Sequence, residues 1–233
     1  MDLSTLLQGR KVFLVRHGNT AKAEVDAERE LTDKGREQCL RSREAWAEAL
    51  AGVRRVFASS VLRTVQTAML LAEPLGLAPT PVEDLYFVRP WRTEAMQAAE
   101  TDCGYAPASV YMEKYPGVHD EAGRRMAAAL AEALAKAPEV EGDILVVGHA
   151  GYLSFLTLEV LEAMAPAEAA AREAWLLAAR GVVLEANVGE ACGFEVQASG
   201  VRYLLSPEAT DFSAARCNDD FTSVAAGAGA GSG

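Results

Sequence analysis

The sequence predicts an α/β domain, a three-layer α/β/α sandwich with a mostly parallel central sheet and helices on both faces. Three observations lead there. Lys11–Val15 and Asp143–Val147 are continuous apolar, β-branched-rich runs without alternation, as expected of strands buried on both faces. Helical stretches separate these and two further strand candidates, and strand–helix alternation is the mark of α/β layering. The chain has 233 residues, 50% of them hydrophobic and 24% charged, which fits one such domain.

The elements follow in order. After the first strand, Thr32 is a plausible N-cap with Asp33 in the first turn, opening a helix over Thr32–Leu50. Arg54–Ala58 reads as a strand, and Ser59-Ser60 offers a cap for a helix over Val61–Leu75. Thr80–Phe87 reads as another strand. A lid-like insertion then runs over Pro90–Ala122, carrying Trp91, Tyr105, Tyr111 and Tyr115. Asp120 caps an alanine-rich helix over Asp120–Ala137, with Met126, Leu130 and Leu134 on one stripe and Pro138 at its end. The second apolar strand precedes a helix over about Tyr152–Met164. Gly181–Pro207 reads as late strands, with Ser199-Gly200 as a hairpin turn. Residues 1–207 make the domain; 208–233 form a Gly/Ala-rich, low-complexity tail expected to be disordered.

The net charge is −11, from 22 Lys plus Arg against 33 Asp plus Glu. Such a field argues against nucleic acid or an anionic membrane as partner, so any anion must enter a small basic pocket. Four scattered cysteines (Cys39, Cys103, Cys192, Cys217) include no C-x-x-C pair and fit reduced thiols in a cytoplasmic protein. The first residues have neither signal-peptide nor transit-peptide character, and no apolar run reaches membrane-span length.

Two of the three histidines, His17 and His149, directly follow the two most apolar strands, in Val-Arg-His-Gly-Asn-Thr and Val-Gly-His-Ala-Gly. Ligands of open α/β sheets bind outside the carboxyl ends of strands, so parallel neighbouring strands would aim both imidazoles into one crevice. Arg16 precedes His17. Arg63 stands in the first turn of a helix, where a cation opposes the macrodipole unless it faces an anion. Arginine forks suit phosphate oxygens in a bidentate way.

These segments, together with Leu-Thr-Asp-Lys-Gly (31–35) and Ala-Ser-Ser-Val-Leu-Arg-Thr-Val-Gln-Thr-Ala (58–68), resemble the histidine phosphatase superfamily, the phosphoglycerate mutase-like family. The resemblance implies a phosphohistidine mechanism on His17, with Arg16, Arg63 and His149 completing the phosphate pocket and Asn19 beside them. It implies a phosphatase needing no metal or cofactor, acting on a phosphorylated small molecule or a phosphohistidine protein. The family's general acid, in a Leu-x-Glu setting, has no counterpart: that register places Phe87 at the acid position. Glu94, Asp84 and Glu83 are the substitutes within reach, with Glu94 first because it follows an arginine-rich turn; Arg89, Trp91 and Arg92 could line the substrate mouth. Asp26–Gly35 resembles the compact SixA-type phosphohistidine phosphatases, whose leaving group needs less protonation, whereas the long insertion favours another substrate. Mutase activity is the weakest fit. An alternative of another class is a non-catalytic phosphate-binding pseudo-enzyme.

Overall fold

Chain segments of opposite pattern assemble around one six-stranded sheet in the computed structural model, which describes residues 2–86, 92–137 and 140–207. In chain order these are α1 (Leu3–Leu7), β1 (Val12–Arg16), α2 (Asp33–Ala45), α3 (Ala47–Leu50), β2 (Val53–Ser59), α4 (Leu62–Ala72) and β3 (Thr80–Val82). Then come α5 (Glu94–Cys103), α6 (Ala108–Lys114), α7 (Asp120–Lys136), β4 (Asp143–Gly148), α8 (Tyr152–Met164), α9 (Ala169–Glu185), β5 (Gly193–Gln197) and β6 (Gly200–Leu204). The strand order is β3-β2-β4-β1-β5-β6. The first four strands are mutually parallel, and β5 and β6 join antiparallel beside β1.

The apolar runs of β1 and β4 are buried on both faces because their side chains alternate between two cores. Val12, Leu14, Ile144 and Val146 pack under α1, α7, α8 and α9. Phe13, Val15, Leu145 and Val147 pack on the other side with Trp46, Leu50 and the buried stripe of α4. Parallel pairing in the register Val12↔Ile144 through Arg16↔Gly148 brings the carboxyl ends of β1 and β4 level. That register is what sets His17 beside His149.

Several boundaries differ from the sequence reading. The predicted helix 32–50 breaks at Trp46, whose indole N–H donates to Leu205 O at 3.2 Å, and continues as α3. Thr32 does cap α2, accepting from Gly35 N at 3.0 Å. The strand predicted over Thr80–Phe87 ends at Val82 and passes into a 3₁₀ turn over Glu83–Leu85; Phe87 lies outside the described residues. Val61 rather than a serine is the N-cap of α4, and Asp120 is the first helical residue of α7, where its charge still complements the helix dipole. Pro138 lies outside the described residues.

Gly181–Glu185 close α9 instead of starting a strand, and the hairpin turns at Ala198-Ser199. The 17-residue α9 buries Trp175, Ala179 and Val183 at i, i+4 and i+8, a stripe thin enough to escape notice among alanines. The insertion folds into α5 and α6, packed on α8 and α9 through Ala99, Ala108, Tyr111 and Phe155. Among the described residues no helix is long and apolar enough to cross a membrane. The tail 208–233 lies outside them.

Candidate active site

Both histidines stand at the carboxyl edge of the sheet with ring centroids 5.3 Å apart. The backbone N–H of His17 donates to Gly148 O at 3.1 Å, tying the ends of the two strands together. The chain then turns over α2 in a close approach: a Cβ on Gly18 would stand 2.6 Å from Gly35 O, and one on Gly35 would stand 2.0 Å from Asn19 O. Both glycines are therefore required by contact rather than by their dihedral angles.

His17 is buried, and its Nδ1 lies 2.8 Å from Gly18 O. A carbonyl only accepts, so Nδ1 carries the proton and Nε2 is left with a lone pair. Burial, opposed by the Gly18 bond and reinforced by the Arg16 and Arg63 charges, pulls its pKa down to about 3. The ring is neutral over the whole ordinary pH range.

Burial also holds the pKa of His149 well below the ordinary imidazole value, with His17 and Arg63 adding to it. Its Nε2 lies 2.8 Å from Ser59 Oγ and its Nδ1 3.3 Å from Arg63 Nη2. Guanidinium only donates, so with Arg63 there Nδ1 accepts and Nε2–H donates to Ser59, whose hydroxyl meets Thr64 Oγ1 at 2.7 Å. The serine that sequence reading assigned to a helix cap thus fixes an imidazole.

Arg16 donates from Nη1 to Val188 O at 2.7 Å and lies 5.3 Å from the Tyr105 ring centre, leaving its buried Nε unpartnered. Arg63 is only 4% exposed, and its buried Nε is also unpartnered. Its Nη1 donates to Asp26 O at 2.6 Å and its Nη2 to Asp26 Oδ2 at 2.9 Å. Arg29 reaches the other carboxylate oxygen at 3.2 Å, and Tyr86 donates its hydroxyl to Oδ2. Burial would raise the Asp26 pKa, but the Tyr86 bond and the Arg63 and Arg29 contacts outweigh it and hold the carboxyl at about 2. The ring of Tyr86 covers Arg63 at 5.4 Å and His149 at 5.1 Å.

Asn19 lines the cleft but is engaged. Its amide donates to Glu190 Oε1 at 2.8 Å, and Gln38 donates to the other oxygen of Glu190 at 3.2 Å. The structure therefore brings Arg16, His17, Asn19, Arg63 and His149 to one cleft of about 900 Å³. It does not bring Glu94 there: Glu94 is an exposed first-turn residue of α5, and Gln97, Glu100 and Thr101 are the residues of that helix lining the cleft. Glu83 and Asp84 are exposed in their 3₁₀ turn and do not line it either. Arg92 does, paired with Glu100; Arg89 and Trp91 lie outside the described residues.

Sequence reasoning missed Asp26, Tyr86, Glu100 and Glu190 as cleft residues. Tyr86 adjoins the position where an acid was sought, and Asp26 lies in the segment 26–35 singled out by resemblance, so both left some signal. Among the described residues no cluster of three His, Cys, Asp or Glu is arranged to hold a metal ion.

Comparison with known proteins bears on the fold and the family. Two solved structures of a mycobacterial glucosyl-3-phosphoglycerate phosphatase share the fold. The vanadate complex is 18% identical, covering 84% of this chain and 97% of that one, at a TM-score of 0.53. The complex with inorganic phosphate is 19% identical, covering 84% and 94%, also at 0.53. A protein histidine phosphatase SixA solved with tungstate is 18% identical, covering 83% and 93%, at 0.47. No curated protein matches the sequence. The profile of the histidine phosphatase superfamily (branch 1) matches residues 12–186, so the chain belongs to that superfamily.

Proposed function

We propose that this protein is a phosphatase that hydrolyses a small phosphomonoester through a phosphohistidine intermediate on His17. The observation that carries the reading is the Nδ1–Gly18 bond, which leaves the Nε2 lone pair of a neutral imidazole in the field of Arg16 and Arg63. A binding module has no use for a nucleophile held in that state. Arg16, Arg63 and His149 line the same cleft as His17, where a phosphoryl group would sit. Their charge would stabilise the equatorial oxygens as phosphorus moves to His17. For His149 to donate there its tautomer must switch, and the Ser59 hydroxyl, able to donate as well as accept, permits that.

Water then attacks phospho-His17 and restores the free imidazole. No step calls on a metal or cofactor. The cleft extends beneath α5 and α6, with Arg92, Gln97, Thr101 and Tyr105 along it, which supports a small-molecule substrate over a phosphohistidine on a protein surface. Free Cys39, Cys103 and Cys192 fit a cytoplasmic setting.

Rapid acid-free quench with labelled p-nitrophenyl phosphate tests the reading. Wild type should retain acid-labile, base-stable label, with and without EDTA, and His17→Ala should retain none. Label kept by His17→Ala, or activity lost to EDTA and restored by a divalent ion, would contradict it.

A further inference from the structure

We infer that Tyr86 supplies the proton to the leaving oxygen, and that Asp26 Oδ2 marks the place that oxygen takes when substrate displaces the carboxylate. The inference rests on the phosphatase reading and identifies the acid that reading lacks. Asp26 Oδ2 already accepts from both Arg63 Nη2 and the Tyr86 hydroxyl. An ester oxygen occupying that point would therefore touch the phosphate-binding guanidinium and a phenolic proton at once. The same guanidinium nitrogen lies 3.3 Å from His149 Nδ1, so the point adjoins the phosphoryl pocket rather than the outer cleft.

The other groups of the cleft are unsuited. Asp26 is ionised down to about pH 2. Glu100 accepts from Tyr152 and from Arg92, and Glu190 from the amides of Asn19 and Gln38, so the oxygens of both are already engaged by donors. The Tyr111 hydroxyl is committed to Gly104 O. Tyr105 is 71% exposed and covers Arg16, whereas the ring over Arg63 is that of Tyr86. Burial and Asp26 both raise the Tyr86 pKa, which keeps the phenol protonated; once Asp26 is displaced, its share of that rise disappears.

The step balances. His17 Nε2 forms the P–N bond with its lone pair while the P–O bond breaks, and the departing electron pair takes the Tyr86 proton, releasing the alcohol. The phenolate formed faces Arg63. It then takes a proton from water as that oxygen attacks phosphorus, the P–N bond returns its pair to Nε2, and Tyr86 is neutral again.

Tyr86→Phe removes the hydroxyl and keeps the ring that covers Arg63 and His149. The experiment compares kcat/KM of wild type, Tyr86→Phe and Tyr105→Phe across alkyl and aryl monophosphates of graded leaving-group pKa, with circular dichroism as the folding check. In Tyr86→Phe, alkyl phosphates should lose about 100-fold more than p-nitrophenyl phosphate, whose leaving group needs little protonation. The wild-type rate on alkyl phosphates should fall at high pH as the phenol ionises, and the variant should lack that limb. A uniform loss, no loss, or a selective loss in Tyr105→Phe instead would overturn the inference while leaving the phosphohistidine reading intact. Absence of any His17-dependent hydrolysis in wild type would overturn both.

Discussion

Asp26→Asn should make the protein bind orthophosphate more tightly while making it less stable. The carboxylate occupies the Arg63 nitrogen that a phosphate would use, so every ligand must first displace it. Asparagine keeps the shape, and the Arg63 bond to the backbone carbonyl of residue 26, at 2.6 Å, survives the change. What is lost is the negative charge that Arg63, Arg29 and the Tyr86 hydroxyl now face, the Arg63 contact being the one a phosphate competes for. A hydrogen bond between charged groups contributes about 1.5–3 kcal/mol, but the Asp26 side chain is 50% exposed, and solvent screening cuts that to roughly 0.5–1.5 kcal/mol. Removing a competitor of that strength lowers the inhibition constant for orthophosphate about 2- to 10-fold. The same loss lowers Tm, and saturating phosphate should restore it. The assay is product inhibition of p-nitrophenyl phosphate hydrolysis beside thermal unfolding with and without phosphate. A residue that merely held Arg63 in place would weaken phosphate binding and stability together. An inhibition constant that rises or stays the same in a folded variant would refute the competition argument.

Two further outcomes are expected. Glu94→Gln should stay within about twofold of wild type on alkyl and aryl phosphates alike, as for an exposed surface change; a selective loss on alkyl phosphates would return Glu94 to the acid role. His119 is 4% exposed, stacks on Phe155 at 4.8 Å, and has no hydrogen-bond partner on either ring nitrogen. Burial holds it, like His17 and His149, below the ordinary imidazole value of 6.5. The unfolded chain therefore binds more protons than the folded one below about pH 6.5, and stability falls as pH drops through that range. His119→Phe removes one of these groups and should raise Tm by about 2–4 °C at pH 5, with a smaller gain at pH 8; an equal shift at both pH values would show that His119 is not part of the acid sensitivity.

What could be read from the sequence was whatever depends on local pattern. Val12–Val15 and Ile144–Val147 declare buried strands by composition alone, and the histidines that follow them declare the crevice. Their neighbour relation needed the sheet order, which composition does not carry. Arg63 betrayed itself by violating a helix-terminus preference, and the structure supplies the anion it faces, Asp26, from 37 residues away in the chain. Glu190 could not be foreseen because its place depends on the loop between α9 and β5, and α9 itself was hidden by alanines without a sharp stripe. Glu94 stands out in the sequence for a reason unrelated to the cleft it does not line: an acid near a helix start satisfies the dipole whether or not it does chemistry.

The antiparallel strand beside β1 has a kinetic consequence. Arg16 N donates to Cys192 O, and Arg16 Nη1 to Val188 O across 172 residues of sequence. The Arg16 side of the cleft is therefore held by a segment made long after β1. During synthesis β1, β2 and β4 can pair and both histidines can meet, yet Arg16 has no anchor until β5 docks. Contacts of such sequence separation form late and slowly. Phosphate affinity should accordingly appear as a final, separate phase of refolding, after the parallel strands have gained their hydrogen-exchange protection.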